Sequence, residues 1–120
     1  MILADTSVWI DHLRYGDSAF AALLDQGEVL MHPFVIGEVA LGYLRRRELV
    51  LSVLENLPRA TVASDAEVLQ FINGRQLFRL GIGYVDAHLL VSVRLMAGVA
   101  LRTHDARLNA VAVQLGLVGG

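Results

Sequence analysis

The chain of 120 residues contains no cysteine and no lysine. Without cysteine it has no disulfide, no thiolate zinc site and no cysteine nucleophile, and it is compatible with the cytoplasm. Without lysine it lacks the basic group that signalling receivers hold beside their acidic pocket and that Walker-type loops hold against phosphate. The Asp-x-Asp pair of acyl-phosphate enzymes is missing as well, because Ser7 stands two places after Asp5. These classes are therefore disfavoured.

The basic residues are all arginines, and 10 of them stand against 12 acidic residues, for a formal net charge of -2. This balance gives no global attraction to nucleic acid, so any such contact must come from a local patch. Hydrophobic residues make up 55% of the chain and the mean hydropathy is +0.54. So much apolar character indicates that some apolar surface is buried against a partner, and we expect an oligomer rather than a monomer.

No segment resembles a membrane span or a secretion signal. The most apolar segment, 80–101, is interrupted by Asp86 and Arg94, which makes it a poor span. Residues 1–10 have no basic leader ahead of an apolar stretch, and Asp5 lies among them. We therefore expect a cytoplasmic protein.

Short apolar runs alternate with longer segments of helical period. The runs predict strands at 1–4, 28–31, 60–63, 99–101 and 115–118. The longer segments predict helices near 7–14, 17–26, 34–46, 48–56, 65–80, 84–97 and 105–114. Apolar strands separated by helices favour an α/β fold with a parallel sheet covered on both faces. No linker or repeat divides the chain, so we predict a single domain over 1–120.

Two acidic residues follow predicted strands. Asp5 ends the first strand and Asp105 follows the fourth. Ligands of open α/β sheets bind at the carboxyl edge of the strands, so both side chains are predicted to face one crevice. Each residue is equally suited to capping the helix that follows it, since aspartate is a favoured N-cap.

Two further acidic residues interrupt apolar stripes of predicted helices. Glu38 is flanked at helical spacing by Phe34 and Leu41, and Asp86 by Ile82 and Leu90. Both carboxylates are predicted to face inward, where partial desolvation favours protonation or a bound cation. The alternatives are an exposed side chain or a buried pair with arginine.

Convergence of the four acids would need a counter-charge, because like charges a few Å apart repel strongly. Hard divalent cations such as Mg²⁺ or Mn²⁺ prefer oxygen ligands and keep several waters. Such an ion lowers the pKa of a bound water and orients it for attack on a phosphodiester. That chemistry needs carboxylates and no side-chain nucleophile.

Four stretches, taken in order, resemble the PIN-domain ribonucleases, specifically the VapC-type toxins of toxin-antitoxin modules. They are Asp5-Thr-Ser-Val-Trp-Ile-Asp11, Glu38 in a predicted helix, Gly83-Tyr-Val-Asp86-Ala-His88 and Thr103-His-Asp105. The resemblance spans essentially the whole chain. It implies a three-layer α/β/α PIN-like domain with a five-stranded parallel sheet ordered 3-2-1-4-5. It also implies endonucleolytic RNA cleavage, a homodimer, and a cognate antitoxin whose tail fills the acidic groove.

The resemblance also implies roles for particular residues. The family's acidic quartet falls on Asp5, Glu38, Asp86 and Asp105. Mg²⁺ or Mn²⁺ is expected there, with Asp5 and Asp86 as direct ligands and the other two binding directly or through water. The hydroxyls of Thr6 and Thr103 are expected to orient carboxylates or waters.

RNA contacts are predicted from cationic and aromatic side chains, which bind phosphates and stack on bases. The candidates are Arg45, Arg46, Arg47, Tyr84, Arg102 and His104. Cations at a helix C-terminus are also ordinary partners of the helix dipole, so a structural role for the arginine triplet stays open. A catalytically weak or inactive PIN-like module that engages RNA or a protein through its acidic groove is the alternative function.

Overall fold

A short parallel sheet forms the centre of the computed structural model, which describes residues 1–119. Its strands are β1 (Ile2–Ala4), β2 (Val29–Leu30) and β3 (Ala100–Arg102), in the order β2-β1-β3. Ile2 pairs with Val29 on one side and with Ala100 on the other. The predicted parallel α/β sheet is therefore confirmed, and its central strand is β1.

The prediction of five strands is wrong, because the sheet described within residues 1–119 has three. The segment predicted at 60–63 contributes one isolated parallel bridge, between Met31 and Arg59. The segment predicted at 115–118 contributes one backbone bond to β3, from Leu101 N to Leu117 O (2.8 Å). Pro58 has no N–H to donate, so the first of these edges cannot extend its ladder. Both segments lie where the outer strands of the order 3-2-1-4-5 would lie, but they do not form strands.

Seven helices connect the strands across the described residues, as the sequence pattern predicts. They are α1 (Thr6–Tyr15), α2 (Ser18–Asp25), α3 (Pro33–Leu41), α4 (Arg47–Glu55), α5 (Asp65–Arg75), α6 (Tyr84–Leu95) and α7 (Ala106–Gln114). Two of them end five residues earlier than predicted. Helix α3 ends before Gly42, and α5 ends before Gln76, whose φ of 55° is left-handed. Local backbone conformation therefore overrides the apolar periodicity at both ends.

Helices α1, α3 and α7 begin shortly after β1, β2 and β3, so their N-termini lie at the carboxyl edge of the sheet. Helix α6 is the most deeply buried, with every residue from Ala87 to Val93 buried, and it packs on β3 and α5. Helix α1 packs on β1 and α3. Helix α1, which follows β1, therefore lies against α3, and β3 lies against α6. Within residues 1–119, no helix combines the length and apolarity needed to cross a membrane.

The start of α5 offers a test of local sequence determinants. Ser64 accepts a bond from Glu67 N (3.1 Å), and the Glu67 carboxylate accepts one from Ser64 N (3.0 Å), which is a complete capping box. We expect Ser64→Ala to lower the free energy of unfolding by about 1 kcal/mol, because one terminal N–H loses its partner. Urea titration followed by circular dichroism measures this. Ser52→Ala, on the exposed face of α4, is the control, and an equal effect of both substitutions would contradict the assignment.

Candidate functional site

The ends of β1 and β3 lie side by side, and the site is built on them. The backbone N–H of Asp5 donates to Arg102 O (3.0 Å), so the chain leaving β1 runs next to the chain leaving β3. The Thr103 hydroxyl consequently reaches across and donates to Asp5 Oδ2. Asp105 is fixed to the same place, since its N–H donates to Thr103 Oγ1 (3.0 Å). Asp5 and Asp105 therefore share the carboxyl edge, as predicted.

Asp5 is the most enclosed of the four predicted acids, with 5% of its surface exposed. Its Oδ1 accepts bonds from Ser7 Oγ (2.6 Å) and Val8 N (3.2 Å), and its Oδ2 accepts the bond from Thr103. Asp5 thus caps α1, which confirms the capping alternative. An ionised carboxylate offers about four lone-pair positions, so three protein donors leave room for a further ligand. Capping and ligand binding are compatible here.

Glu38 is exposed, so the prediction that it faces inward is wrong. The buried stripe of α3 is formed by Val35 and Val39, which are both fully inaccessible to solvent. Because those two valines occupy the inward face of the helix, Glu38 lies on the side that faces solvent. Its carboxylate is nevertheless held, because the Thr6 hydroxyl donates to Glu38 Oε1 (2.6 Å). Glu38 is therefore tied to the residue that follows Asp5.

Asp86 is half-buried in the first turn of α6, which agrees with its predicted inward position. Burial raises the pKa of the Asp86 carboxyl above its ordinary value, and the negative charges of Asp5, Asp105 and Glu38 raise it further. The hydrogen bond from Gly83 N to Asp86 Oδ2 (3.0 Å) opposes that shift by stabilising the carboxylate. All three other predicted acids act on Asp86, so the structure brings the four together electrostatically.

Asp105 is exposed and caps α7. Its Oδ1 accepts bonds from Arg107 N (2.9 Å) and Leu108 N (3.1 Å), so the capping alternative is confirmed for this residue too. The N-terminal end of a helix carries partial positive charge, which favours a carboxylate at this position. The Asp105 carboxylate is therefore fixed through its Oδ1 oxygen.

The donor set suits a hard cation, although the side chains do not enclose one. Within residues 1–119, no group of three or more His, Cys, Asp and Glu side chains is arranged tightly enough to hold a metal ion. Each of the four carboxylates instead accepts hydrogen bonds from protein donors of its own. Mg²⁺ is often bound by one or two carboxylates and several waters, so such an open arrangement fits it. The pKa of Asp86 is raised by burial and by the neighbouring negative charges, and a bound cation would stabilise its ionised form.

The predicted RNA-contacting residues fall into two groups. Arg45, Arg46 and Arg102 are exposed, and among residues 1–119 the ion pairs involve the chain amine and histidines but no arginine. Their guanidinium groups are therefore not neutralised by carboxylates. Arg47 differs, because it donates to Ala40 O (2.6 Å) and Gly42 O (3.3 Å) and so closes the C-terminal end of α3. The structural alternative is confirmed for Arg47.

The two remaining candidates have partners of their own. Tyr84 is 49% exposed and its hydroxyl donates to Asp65 Oδ1 (2.8 Å). The His104 ring nitrogen Nδ1 lies 2.6 Å from Asp11 Oδ2, and its backbone N–H donates to Ser7 Oγ (3.0 Å). Sequence reasoning assigned no role to Ser7 or Asp11. Their spacing of one helical turn places both on the same face of α1, and that spacing is the signal that identifies them.

The raised pKa of Asp86 has a consequence for stability. A raised pKa means that folding disfavours the ionised carboxylate, so stability falls as pH rises from below 3.8 through the raised value and stays lower above it. Asp86→Asn removes the charge and keeps an oxygen that can accept from Gly83. We expect the metal-free variant to melt a few degrees above the wild type at pH 7, with the difference vanishing at acid pH. Differential scanning calorimetry across pH measures this, and identical melting temperatures at pH 7 would contradict it.

The PIN domain family model matches residues 2–114. Two relatives are named Ribonuclease VapC32, one from Mycobacterium tuberculosis (strain CDC 1551 / Oshkosh) and one from Mycobacterium tuberculosis (strain ATCC 25618 / H37Rv). Each is 46% identical to this chain over 117 residues, which cover 98% of the chain and 94% of the relative.

These matches extend over nearly the full chain and include every segment that positions the four acids. They agree with the parallel sheet and with the ordered motifs from which the resemblance was drawn. The chain therefore belongs to the PIN-domain family, as a VapC-type member.

Proposed function

We propose that the chain is a metal-dependent endoribonuclease toxin that a cognate antitoxin neutralises. The observation that supports this most directly is geometric: hydrogen bonds through Thr103 and Thr6 fix Asp5, Asp105 and Glu38 at one edge of the sheet. Burial raises the pKa of the half-buried Asp86 carboxyl, and the charges of these three acids raise it further. A carboxyl group at which three other negative charges converge is a place where a divalent cation is stabilised. The name of the two relatives, Ribonuclease VapC32, agrees with cleavage of RNA.

In this proposal Asp5 and Asp86 hold Mg²⁺ or Mn²⁺ directly, and Glu38 and Asp105 bind it directly or through water. When bound, the ion supplies a water of lowered pKa and a Lewis acid for the phosphodiester. The protein's own residues fix the geometry. Thr103 and Ser7 hold both oxygens of Asp5, while Thr6 holds Glu38. Carboxylates fixed in this way lose little freedom on binding substrate, which is the main protein contribution to such chemistry.

Exposed arginines supply the attraction to RNA that the net charge of -2 does not. Arg45 and Arg46 lie in the turn between α3 and α4, and Arg102 ends β3 next to the site. Phosphate contacts from unpaired guanidinium groups position a strand without reading its sequence. We therefore assign the phosphates of the substrate to these three residues and to Tyr84 a stacking contact with a base.

An apolar groove beside α3 gives the antitoxin a second place to bind. The groove has a volume of about 530 Å³ and is lined by α1, by the turn after α3 and by Val50. Tyr43, one of the lining residues, is 90% exposed, and so is Leu41 next to the groove in sequence. Exposed apolar surface of this kind is typical of a binding site. An antitoxin segment with apolar side chains in the groove and a basic side chain on the acids would block substrate.

We also propose that the chain forms a single domain over 1–120, assembles as a homodimer and is located in the cytoplasm. The fraction of hydrophobic residues, 55%, supports burial of apolar surface between copies of the chain.

A second candidate function is a binding module without catalytic activity. It is favoured by one observation, namely that no tight group of three metal-ligating side chains exists within residues 1–119. In that case the acidic edge would bind a basic partner, and the arginines would bind RNA that is not cleaved.

Substitution of the acids distinguishes the two functions. We expect the purified wild type to cleave structured RNA with Mg²⁺ or Mn²⁺ and not with EDTA. Asp5→Asn and Asp86→Asn should each lower the rate by roughly a hundredfold or more, because each removes a direct ligand. Either ion should also raise the melting temperature of the wild type, and of these variants much less. Gel-resolved cleavage and thermal-shift assays measure the two effects.

The matched control is Asp25→Asn, since Asp25 is an exposed carboxylate that precedes β2 at the opposite, amino edge of the sheet. It should cleave RNA like the wild type. Cleavage that survives both active-site substitutions would point to a contaminating nuclease. RNA binding without cleavage under any metal would favour the binding module.

The groove can be tested with the antitoxin that a neighbouring gene is expected to encode. We expect Tyr43→Ala to weaken antitoxin binding by about 30-fold, because a central aromatic contact of an interface contributes about 2 kcal/mol. Calorimetric titration measures the affinity. Val113→Ala, an exposed apolar residue of α7, is the control and should bind normally. Equal affinity of both variants would place the antitoxin elsewhere.

A further inference from the structure

A groove between α5 and α6 lies outside the acidic edge, and the proposed mechanism does not use it. Its volume is about 450 Å³. On α5 it is lined by Phe71, Gly74 and Arg75, which are three and four positions apart and so share one face of the helix. On α6 it is lined by Val91 and Arg94, one turn apart. The groove therefore follows the line along which the two helices pack.

Two arginine side chains converge on one phenyl ring in this groove. The guanidinium carbon of Arg75 lies 5.9 Å from the centre of the Phe71 ring, and that of Arg94 lies 5.8 Å from it. Phe71 is partly buried and packs against the core, so the position of its ring is fixed. Attraction between each cation and the ring holds the two guanidinium groups near each other.

Both guanidinium groups keep their hydrogen-bond donors free. Within residues 1–119 neither one donates to a protein acceptor or takes part in an ion pair, whereas Arg47 and Arg59 donate to helix carbonyls. Arg75 and Arg94 belong to the last turns of their helices, where a cation also interacts with the helix dipole. Their guanidinium groups lie over Phe71 and not on the terminal carbonyls. The dipole therefore does not account for where these groups lie.

The charges in the groove are complementary to an anion. Two like charges held near one ring repel each other, and an anion bound to both removes that repulsion. Each guanidinium also offers a planar fork of N–H donors that matches the oxygens of a phosphate or carboxylate. Glu67, the acidic residue of the groove, accepts a hydrogen bond from Ser64 N in the capping box and forms no ion pair with either arginine. The anion must therefore come from another molecule.

RNA is the anion that the rest of the molecule favours. The acidic edge repels phosphate unless a cation is bound there, so a nucleic acid needs attraction from other parts of the surface. Asp86 is in the first turn of α6 and Arg94 is in its last turn. Eight positions separate them, which corresponds to about 12 Å along the helix axis. An RNA strand carries a phosphate on every nucleotide, so phosphates of a single molecule are separated by distances of this size.

We propose that Arg75 and Arg94, aligned by Phe71, bind a phosphate of the RNA substrate in this groove, away from the nucleotide that is cleaved. The contact adds affinity without reading base or sugar, because phosphate oxygens are common to all nucleotides. The inference deepens the proposed function and rests on RNA being the substrate. The groove is separate from the phosphate contacts assigned to the arginines before α4 and at the end of β3.

Gly74 allows the groove to be blocked without removing either arginine. A Cβ at this position meets no atom within 4 Å, so a side chain fits there, and glycine is a poor helix former. Gly74→Glu places a carboxylate beside both guanidinium groups. We expect it to weaken RNA binding by about tenfold, because charge-assisted hydrogen bonds to phosphate are lost. Fluorescence anisotropy with a labelled single-stranded RNA in EDTA, where no cleavage occurs, measures the affinity.

The matched control for this variant is Asn73→Glu. Asn73 is the neighbouring exposed residue of α5 and does not line the groove, so the substitution adds the same charge outside it. Its RNA affinity should equal that of the wild type.

Removal of one guanidinium group tests the phosphate contact itself. We expect Arg94→Gln to weaken RNA binding and to lower the slope of log affinity against log salt by about 0.7, the value for one phosphate of a single strand. Single-stranded DNA of the same sequence should lose affinity by the same factor. Arg59→Gln removes an equal charge outside the groove and should bind RNA like the wild type.

These measurements do not depend on catalysis, so they separate this inference from the cleavage proposal. Loss of RNA affinity in Gly74→Glu and Arg94→Gln, with normal binding by both controls, supports the groove even if the chain does not cleave RNA. Wild-type affinity in both variants overturns the inference, and so does an equal loss in the controls, which indicates a general effect of charge. Weaker binding of the antitoxin with unchanged RNA affinity also overturns it, because the groove then holds an acidic protein segment. Circular dichroism verifies folding, and Arg75→Gln replaces any variant that does not fold.

Discussion

Burial and repulsion among carboxylates together set the electrostatics of the carboxyl edge of the sheet. Asp86 is half-buried, and three other acids raise its pKa, which is the opposite of what stability alone would select. Such an arrangement persists because each acid is separately held by hydrogen bonds. Gly83 holds Asp86, Thr6 holds Glu38 and Thr103 holds Asp5. Holding these charges near one another without a counter-ion lowers the stability of the fold. Such destabilising arrangements are common at sites that bind a charged ligand.

The same hydrogen bonds explain why the acids are both structural and available. Asp5 and Asp105 cap α1 and α7, and an N-cap uses only some of the lone pairs of a carboxylate. The positive end of each helix dipole also stabilises the ionised form. A cap therefore fixes a carboxylate at the carboxyl edge of a parallel sheet and leaves lone pairs free for a further ligand.

Sequence patterns predicted the α/β class, the parallel sheet and seven helices, because apolar periodicity reports which faces are buried. They failed where a local feature decided the outcome. Pro58 limits the edge at 58–60 to one bridge, and Gln76 ends α5 five residues early. The inward face of Glu38 was predicted from its apolar neighbours, but Val35 and Val39 occupy that face. The link between Asp11 and His104 was not found, because no periodicity relates residues 93 positions apart.

The bond between Thr103 and Asp5 joins positions that are 98 residues apart, close to the full length of the chain. Loop-closure entropy delays contacts of such sequence separation, so they form late in folding. During synthesis, a chain still lacking β3 has neither Thr103 nor Asp105, and Asp5 has no cross-strand partner. The acidic edge is thus completed only after β3 has been synthesised and has packed beside β1.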